Sequence, residues 1–370
     1  MRVKVLRCLV ILSVFIFTVS CSKKEVKTYE QTVENGIRVT KNNGIPADST
    51  FKIELKVVGF IDNENETDSV KFIEKSYQHN IDRKGNLYIL DSKRSKIHKY
   101  NSDYQFISCF GGKGEGPGEF MTAGTICINQ DTIYITDWYS KKIIKYDLEG
   151  NSLSLKLCDN IEKIPAYPKS FGDYFMSSSI SSKTDPSIPG IVNMITVMSL
   201  YDDKLNYIKD LYKLTWEFDR TKDYDPTANG AVSANNDTEL FLAEKSKDRY
   251  IISVLDNSGT KIREIRKQFA RIRITDEESK KLAESGEKHN LKYKMTYKSS
   301  IKNLHIDKYG RLWVETPVAN SDEKHFDVFK DDIFLNRITL NLEEGYRPQF
   351  IGNRILAVNE ENNNIKIYEY

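Results

Sequence analysis

Two stretches of the sequence, "GNLYILDSKRSKIHKYNSDYQFISCF" (85–110) and "DTIYITDWYSKKIIKYDLEGNSLSLKL" (131–157), resemble each other at an offset of 46 residues. The matched positions are Leu87 with Ile133, Tyr88 with Tyr134, Ile89 with Ile135, Asp91 with Asp137, Ile97 with Ile143, Lys99 with Lys145 and Tyr100 with Tyr146. In both copies, short segments of alternating apolar and polar residues are separated by polar turns. This alternation predicts four antiparallel strands per unit, each with the period of a half-buried sheet.

Weaker copies of the unit continue to the end of the chain. The units lie near 72–110, 121–157, 170–212, 238–268 and 301–340, with a sixth from 349. A repeat of about 40–50 residues with four strands predicts a β-propeller. The sixth unit stops after its third strand at Tyr370, and "FKIELKVVGF" (51–60) has no unit of its own. We therefore expect this early segment to supply the missing strand and to close the ring without an open sheet edge.

The predicted fold is thus all-β: a six-bladed β-propeller over residues 37–370, with four-stranded antiparallel blades and a last blade closed by an N-terminal strand. Residues 21–36 are expected to form a tether. One charged segment, 275–293, interrupts the repeats and contains good helix formers. Thr275 and Glu278 have capping-box spacing. The segment is either a short surface helix or a solvated linker.

The first 20 residues have the features of an export signal. Three positive charges (Arg2, Lys4 and Arg7) precede an apolar run, 8–20, which is short for a membrane span. Small residues then lead to Cys21.

Val19, Ser20 and Cys21 resemble the end of a bacterial lipoprotein signal. The resemblance implies cleavage before Cys21, acylation of that cysteine and tethering to the outer membrane. The alternative is a plain secretory signal in which Cys21 is unmodified. "SKKEVK" (22–27) lacks the acidic cluster of a surface-export signal, which favours the periplasmic side.

The charge balance argues against a nucleic-acid partner. Removing residues 1–20 takes away three of the 55 Lys and Arg residues and leaves 52 basic and 53 acidic side chains, a net charge of −1. Nucleic-acid binding would need a concentrated basic patch. Three cysteines remain beyond Cys21, namely Cys109, Cys127 and Cys158, so at most one disulfide can form among them. Their apolar contexts predict buried thiols that act as small hydrophobic side chains.

A glycine-rich loop, "FGGKGEGPGEF" (110–120), joins the first two units. A phosphate-binding P-loop needs Gly-Lys followed by Ser or Thr at the start of a helix. Here Lys113 is followed by Gly114, and strands are predicted on both sides. The loop is therefore interpreted as a turn that carries the chain from one blade to the next.

This loop, followed by a unit such as "DTIYITDWYSKKIIKYDLEG" (131–150), resembles an NHL-repeat propeller. It resembles more closely the six-bladed β-propeller lipoproteins that are common in Bacteroidota. The resemblance covers 81–157 most clearly. It implies an exported, membrane-tethered propeller from a group in which most members have no proven activity.

The sequence offers little evidence of catalysis. It has five histidines but no His-Glu-x-x-His, no Cys-x-x-Cys and no Gly-x-Ser-x-Gly motif. No catalytic residue, metal site or cofactor is predicted. His79 and His305 lie near the innermost strands of related units. They could line the central channel as ligands, or they could be held by hydrogen bonds to neighbouring backbone.

Candidate binding residues follow from the predicted fold. Propellers carry their sites on the face formed by the loops between second and third strands and by the connections between blades. The residues expected there are Lys93, Arg94, Lys113, Glu115, Trp138 and Tyr139. The Trp138–Tyr139 pair could stack on a sugar or anchor a protein partner; alternatively, Trp138 packs over the glycine loop. Asp91 and Asp137 are expected to accept hydrogen bonds from backbone N–H groups in the turns.

The leading functional hypothesis is a lipid-anchored binding or scaffold propeller of the cell envelope that engages a protein or a glycan through this face. The alternative is an enzyme centred on the channel, such as a lyase, a lactonase or a hydrolase. A structural envelope protein without a small ligand is a third possibility. Fold alone does not separate these functions.

Overall fold

The computed structural model describes residues 27–370 except for 138, 159–163, 166, 185–186, 189, 228, 289, 320–322 and 360. Cys21 and Trp138 therefore lie outside the described residues. The described part of the chain contains 28 strands and one α-helix. Its first three strands, which precede the repeats and join later blades, are β1 (Tyr29–Glu34), β2 (Ile37–Asn42) and β3 (Lys56–Ile61).

Blades 1 to 3 each consist of four consecutive antiparallel strands. Blade 1 contains β4 (Ser76–Ile81), β5 (Leu87–Asp91), β6 (Lys96–Tyr100) and β7 (Phe106–Gly111). Blade 2 contains β8 (Ala123–Asn129), β9 (Thr132–Asp137), β10 (Lys142–Asp147) and β11 (Ser152–Leu157). Blade 3 contains β12 (Lys169–Phe171), β13 (Tyr174–Thr184), β14 (Ile191–Tyr201) and β15 (Tyr207–Asp219).

Blades 4 to 6 complete the ring. After the short β16 (Asp223–Tyr224), blade 4 contains β17 (Ala231–Asn235), β18 (Glu239–Glu244), β19 (Ile251–Asp256) and β20 (Lys261–Lys267). The helix α1 (Asp276–Lys288) and β21 (Lys292–Tyr293) follow. Blade 5 contains β22 (Asn303–Ile306), β23 (Leu312–Thr316), β24 (Lys324–Lys330) and β25 (Ile333–Leu340). Blade 6 contains β26 (Tyr346–Ile351), β27 (Arg354–Asn359) and β28 (Ile365–Glu369), with β3 as its outer strand.

The blades pack against each other through both of their faces. Along β5, Leu87 and Ile89 join the apolar cluster between blades 6 and 1, whereas Tyr88 and Leu90 join the cluster between blades 1 and 2. All five residues of β5 are buried. The predicted six-bladed fold is therefore confirmed, but the expectation of half-buried sheets is wrong for strands like β5. The alternation distributes side chains between two dry interfaces rather than between core and solvent.

In blades 1 and 5, the turn between the first two strands is closed by an aspartate with the same set of hydrogen bonds. Asp82 accepts hydrogen bonds from backbone N–H groups at 2.8 and 2.9 Å and from the Tyr88 hydroxyl at 3.1 Å. Asp307 does the same, with the Trp313 indole N–H donating at 2.9 Å. The matching sequences "IDRKGNLYIL" and "IDKYGRLWVE" thus encode an aspartate that closes the turn and satisfies the buried aromatic group behind it.

The chain ends close the ring as predicted. β3 pairs antiparallel with β28, so that the early segment supplies the outer strand of blade 6. Residues 43–55, which we call the strap, reach β3 along the outside of blade 5. In the strap, Ala47 N–H donates to the Phe334 carbonyl at 2.9 Å, and Phe51, Ile53 and Leu55 pack against the cluster between blades 5 and 6.

Two strands before the strap extend blade 4. β2 pairs in parallel with β20, the outer strand of that blade, and β1 pairs antiparallel with β2. Asn35 and Gly36 have positive φ angles of 50° and 79° and form the tight turn between them. Blade 4 therefore has six strands. The first described strand, β1, begins at Tyr29, within the segment 21–36 that is expected to form a tether.

Blade 3 and the segment after blade 4 rise above the ring. β13 and β14 have 11 residues each and β15 has 13, whereas the corresponding strands of blades 1, 2 and 5 have five to eight.

α1 lies in the segment predicted as a helical insertion. Thr275 and Glu278 cap its first turn reciprocally, at 3.0 and 3.1 Å. Within the described residues, no helix is long and apolar enough to cross a membrane.

The closing contact between blades 6 and 1 can be tested at Gly59 of β3. A Cβ there would lie 2.0 Å from the ring of Tyr104, which is 7% exposed and held in the turn after β6. We expect Gly59→Ala to lower the free energy of unfolding by about 1–3 kcal/mol, because the buried ring must shift. Urea denaturation followed by tyrosine fluorescence and circular dichroism measures the change.

Gly112→Ala is the matched control for this substitution. A Cβ at Gly112 meets nothing within 4 Å, so we expect a change within about 0.5 kcal/mol. Equal stabilities of the Gly59→Ala variant and the wild type would contradict the packing of β3 against blade 1.

Candidate functional site

One face of the ring carries the loops between the second and third strands and the connections between blades; we call it the loop face. On blades 1 and 2 it is organised by Asp91 and Asp137. Asp91 accepts hydrogen bonds from backbone N–H groups of the connection before blade 1, at 2.7 and 3.2 Å, and of its own loop. Asp137 does the same for the glycine-rich connection, at 2.7 and 3.3 Å. These carboxylates therefore have the predicted turn-capping role and hold neighbouring loops side by side.

The two predicted cationic residues of blade 1 lie on the loop face, but both already have partners. Lys93 forms an ion pair with Glu74 at 2.5 Å. The Arg94 guanidinium donates to the Phe72 carbonyl at 2.6 Å. Both partners belong to the connection 62–75, which joins β3 to blade 1. These side chains therefore brace the loops, and a ligand would have to compete for them.

The other predicted residues on this face are more accessible. Lys113 and Glu115 are exposed in the glycine-rich connection and make no hydrogen bond or ion pair within the described part of the chain. Tyr139 is 72% exposed. Trp138 lies outside the described residues. Tyr139 is thus an accessible aromatic side chain beside a turn that Asp137 fixes.

The glycine-rich connection is filled by its own carboxylate. Gly116 N–H donates to Glu119 Oε2 at 2.9 Å, and a Cβ at Gly114 would lie 2.0 Å from the same oxygen. Phe120 N–H closes the loop onto the Gly112 carbonyl at 2.9 Å. A negative group already occupies the inside of the loop, which agrees with its interpretation as a turn rather than a phosphate site.

The loop face is raised over blades 3 to 5. The ends of β13, β14 and β15 project beyond the ring, and the connection after β15 folds back against them. Phe218 packs edge-on against Tyr224 with ring centroids 4.6 Å apart, and Tyr224 contacts Tyr293 at 5.9 Å. The parallel pairing of β16 with β21 adds backbone hydrogen bonds. The extension of blade 3 and the segment after blade 4 (268–302, which we call the insertion) therefore form one raised wall.

An apolar hollow of about 540 Å³ lies between α1 and the loop of blade 5. Its apolar lining consists of Ile274, Leu282, Met295, Pro317 and Val318. This volume and lining are typical of a small-molecule site or of the pocket that accepts a partner's side chain. We call this feature the loop-face hollow.

Lys298 fixes the wall of the loop-face hollow. Its ammonium donates to Glu278 of α1 at 2.5 Å and to the Val318 carbonyl of blade 5 at 2.8 Å. α1 is thereby linked to the blade over which it lies. A second, more polar hollow of about 650 Å³ adjoins the first at Glu323 and Lys324.

Sequence reasoning missed the loop-face hollow. The only local signal is on α1, where Glu278, Leu282 and Ser285 recur at helical spacing and face the hollow. Such a pattern in a charged segment is weak. The residues from blade 5 could not be connected to it without the fold.

The two histidines expected near the channel are on innermost strands, β4 and β22. His79 has both ring nitrogens engaged, with Ser76 Oγ at 2.7 Å and Gln349 Oε1 at 2.6 Å. These partners are side chains, whereas the second of the two alternatives for this histidine named neighbouring backbone groups. His305 stacks on Phe350 with ring centroids 4.4 Å apart. Burial lowers the pKa of His79 to about 4 and, together with Lys169, that of His305 to about 3.

Lys169 brings a positive charge into the channel. It lies on β12, is accessible to solvent and has no hydrogen bond or ion pair within the described part of the chain. Lys169 and His305 are both on innermost strands, β12 and β22, and the positive charge of Lys169 contributes to the lowered pKa of His305. Enclosure by protein lowers the pKa of Lys169. The six innermost strands, as described, contain no Asp or Glu.

No set of metal ligands is assembled among the described residues: no group of three or more His, Cys, Asp and Glu side chains is close enough to share an ion. Cys109, Cys127 and Cys158 are free thiols. Cys127 is 2% exposed, and burial raises the pKa of its thiol to about 12. It therefore acts as an apolar group between blades 2 and 3, as predicted. Cys109 and Cys158 are only partly buried, so the prediction of buried thiols is wrong for these two.

Comparison with known proteins agrees with this architecture. Residues 66–185, roughly a third of the chain, match the family model DUF5128, described as a 6-bladed beta-propeller. The chain is a six-bladed β-propeller. The comparison with curated proteins gave no significant match.

Solved propeller structures are similar at low identity. A protein from Bacteroides fragilis is 14% identical, with 89% of this chain and 98% of that chain covered and a TM-score of 0.48. A member of the DUF4221 family from Bacteroides vulgatus is 10% identical over 86% and 98%, with a TM-score of 0.49. Virginiamycin B lyase from Staphylococcus aureus is 13% identical over 86% and 100%, with a TM-score of 0.44. At these values the structures carry no information about the function of this chain.

The buried channel histidine predicts a specific dependence of stability on pH. A histidine whose pKa is lower in the folded state contributes stability above its unfolded pKa, near 6.5, and loses it as the pH falls towards the folded value. For His79 this window runs from about 6.5 to about 4. We expect His79→Gln to reduce the loss of unfolding free energy in this window by up to about 1.4 kcal/mol per pH unit.

Urea denaturation of both proteins at pH 8, 6 and 5 measures this difference. The comparison at pH 8, where the histidine is neutral in both states, isolates the packing effect of the substitution. If the two proteins lost stability with the same slope between pH 6.5 and 4.5, His79 would not be the buried neutral group that the structure shows.

Proposed function

We propose that this protein is a lipid-anchored component of the bacterial cell envelope that binds a protein or a glycan through its loop face. The loop-face hollow carries the proposal. Five apolar side chains line it beside a wall that is held by partly buried aromatic contacts and by Lys298. Apolar surface in a concave, braced position is typical of a binding site.

The chemistry of the hollow favours a protein partner over a glycan. Its lining suits an aliphatic or aromatic side chain, and the charged side chains Lys281, Lys324 and Glu323 surround it. Such an arrangement of an apolar centre and a polar rim is typical of interface hot spots. Tyr139 lies in the loop of blade 2, away from the raised wall of the loop face. Its exposed ring is the flat aromatic surface that a sugar ring would need.

The alternative, an enzyme centred on the channel, would depend on Lys169 and His305. His305 is stacked, and no second polar group is shown within hydrogen-bonding distance of Lys169. The channel thus has a cation but no described nucleophile–base pair. The loop face is therefore the better-supported site.

Lipid anchoring depends on Cys21. If its thiol carries the acyl chains, Cys21→Ala will move the protein from the membrane fraction to the soluble envelope fraction, because one residue provides the whole anchor. Cys8→Ala, in the apolar part of the signal, is the control and should leave the protein membrane-bound. Retention of the Cys21→Ala variant in washed membranes would rule out this anchor.

Photo-cross-linking in living cells tests the loop face. Azidophenylalanine at Leu282 or Tyr139 should give discrete adducts, whereas the same group at Tyr309, an exposed tyrosine of the opposite face, should give none. Met295→Asp should abolish the Leu282 adduct by placing a charge in the hollow. Lys169→Met should leave that adduct unchanged if binding is independent of the channel.

The adducts also separate the partner classes. A protein partner shifts the band by a fixed mass and is identified by peptide sequencing, whereas a glycan partner gives a shift that glycosidases remove. Equal labelling from Leu282 and Tyr309 would contradict a binding site on the loop face.

A further inference from the structure

The direction of the first strands fixes where the chain enters the propeller. β20 runs towards the loop face, because the insertion that follows it lies there. β2 is parallel to β20 and ends opposite Lys267 at Asn42, so it ends at the same face. β1 is antiparallel to β2, with Tyr29 opposite Asn42. The chain therefore enters at the loop-face corner of blade 4.

The entry point is held at this corner by hydrogen bonds. Asn43 N–H donates to the Thr28 carbonyl at 3.0 Å, and the Asn43 side chain donates to the Lys27 carbonyl. Only residues 22–26 separate Lys27 from Cys21. Six residue steps span at most about 20 Å, so an acyl group on Cys21 must lie within about that distance of the corner. A six-residue outer strand is itself about 20 Å long, which places the opposite face of blade 4 farther from the anchor.

The positive charges of blade 4 are concentrated on the loop-face side, which is also the side where the chain enters. Its loop-face segments are 220–230, 245–250 and the insertion, 268–302. Together they contain 14 Lys and Arg and eight Asp and Glu. Its turns on the opposite face, 236–238 and 256–260, contain two Asp and no Lys or Arg.

Several of these basic side chains are exposed to solvent and are not neutralised by an ion pair within the described residues. Arg220, Lys280, Lys288 and Lys292 are exposed and form no ion pair within the described part of the chain. Glu284 and Glu287 share the outer side of α1, but the three segments together keep their positive excess. An excess of exposed Lys and Arg attracts anionic lipid headgroups.

We propose that the loop-face side of blade 4, together with the insertion, rests against anionic lipid headgroups, so that the loop face points towards the membrane that holds the anchor. The proposal rests on the lipid anchor of the proposed function for its geometry and on the basic excess for its partner. The loop-face hollow then opens into the narrow space between propeller and membrane. A binding partner there is itself membrane-bound or emerges from the membrane.

Orientation can be measured on vesicles without relying on acylation in cells. The chain from residue 21, with Cys109 and Cys158 replaced by Ser, is coupled through the Cys21 thiol to a maleimide lipid in vesicles containing 30% phosphatidylglycerol. A fluorophore is attached to azidophenylalanine at Lys288, on the loop face, or at Lys204, in the turn between β14 and β15 on the opposite face. Quencher groups on the lipid headgroups report proximity to the membrane. We expect quenching at Lys288 to exceed quenching at Lys204 at least threefold; equal or reversed quenching would overturn the proposed orientation.

Charge reversal tests the lipid contact separately. The uncoupled chain with Cys21→Ser should co-sediment about tenfold more with phosphatidylglycerol vesicles than with phosphatidylcholine vesicles at 50 mM salt, and less at 500 mM salt. The triple variant Lys280→Glu, Lys288→Glu, Lys292→Glu should lose this preference. The matched triple variant Lys84→Glu, Lys204→Glu, Lys308→Glu, in turns of the opposite face, should keep it. Loss in both triple variants, or in neither, would refute a contact specific to the loop face.

These results are independent of the binding function. Correct orientation without cross-linked partners would leave the membrane contact standing and remove the binding role. Partners cross-linked at Leu282 with an inverted orientation on vesicles would do the opposite.

Discussion

Each blade depends on its two neighbours, because both faces of its central strands are apolar. Leu87 and Ile89 of β5 pack towards blade 6, and Tyr88 and Leu90 pack towards blade 2. No blade can bury both sets alone. A shift of one residue in strand pairing would exchange the two sets and disrupt two interfaces at once. The ring therefore depends on the interfaces on both sides of each blade.

The interface that closes the ring depends on segments from the two ends of the chain. The last interface forms only when β3 pairs with β28, across almost the whole length of the sequence. The strap helps by fixing residues 43–55 along blade 5 before β3 begins. Asn42 is the buried junction: its side chain donates to carbonyls of Arg266 and Asp332 and accepts from Phe334 N–H at 2.8 Å. One polar side chain thus joins the extra strands of blade 4, the strap and blade 5.

The parts of the fold that could be predicted are those encoded locally and repeated. The shared aspartates, the alternating strands and the incomplete sixth unit led directly to six blades and to the closing strand. The extra strands of blade 4 had a local signal, Asn35-Gly36, the preferred pair for a two-residue hairpin turn; it was overlooked because no repeat unit contains it. The length of blade 3 was hidden by the serine-rich sequence of β13, which lacks apolar alternation. The loop-face hollow joins residues of the insertion to residues of blade 5, so no local pattern reports it.

The candidate site residues show the same division. Lys93 and Arg94 lie on the expected face because the repeat fixes their loop, but their partners Glu74 and Phe72 lie in the connection before blade 1, outside the matched stretch 85–110. The sequence therefore predicted which face these two basic side chains lie on, but not that both are already engaged by partners.

The insertion shows how one non-repeated segment can give direction to a nearly symmetric ring. A bare propeller presents six similar sectors, and nothing in its repeats distinguishes one side of the loop face from another. Here α1 contributes Leu282 to the hollow on one side, while Lys280 and Lys288 lie about 160° and about 120° around the helix from it. The chain enters at the same sector, through β1. Because the apolar hollow, the basic excess and the entry point are all in the sector of blades 4 and 5, a partner bound there and a membrane contacted there would be neighbours, and each would limit the directions from which the other can approach.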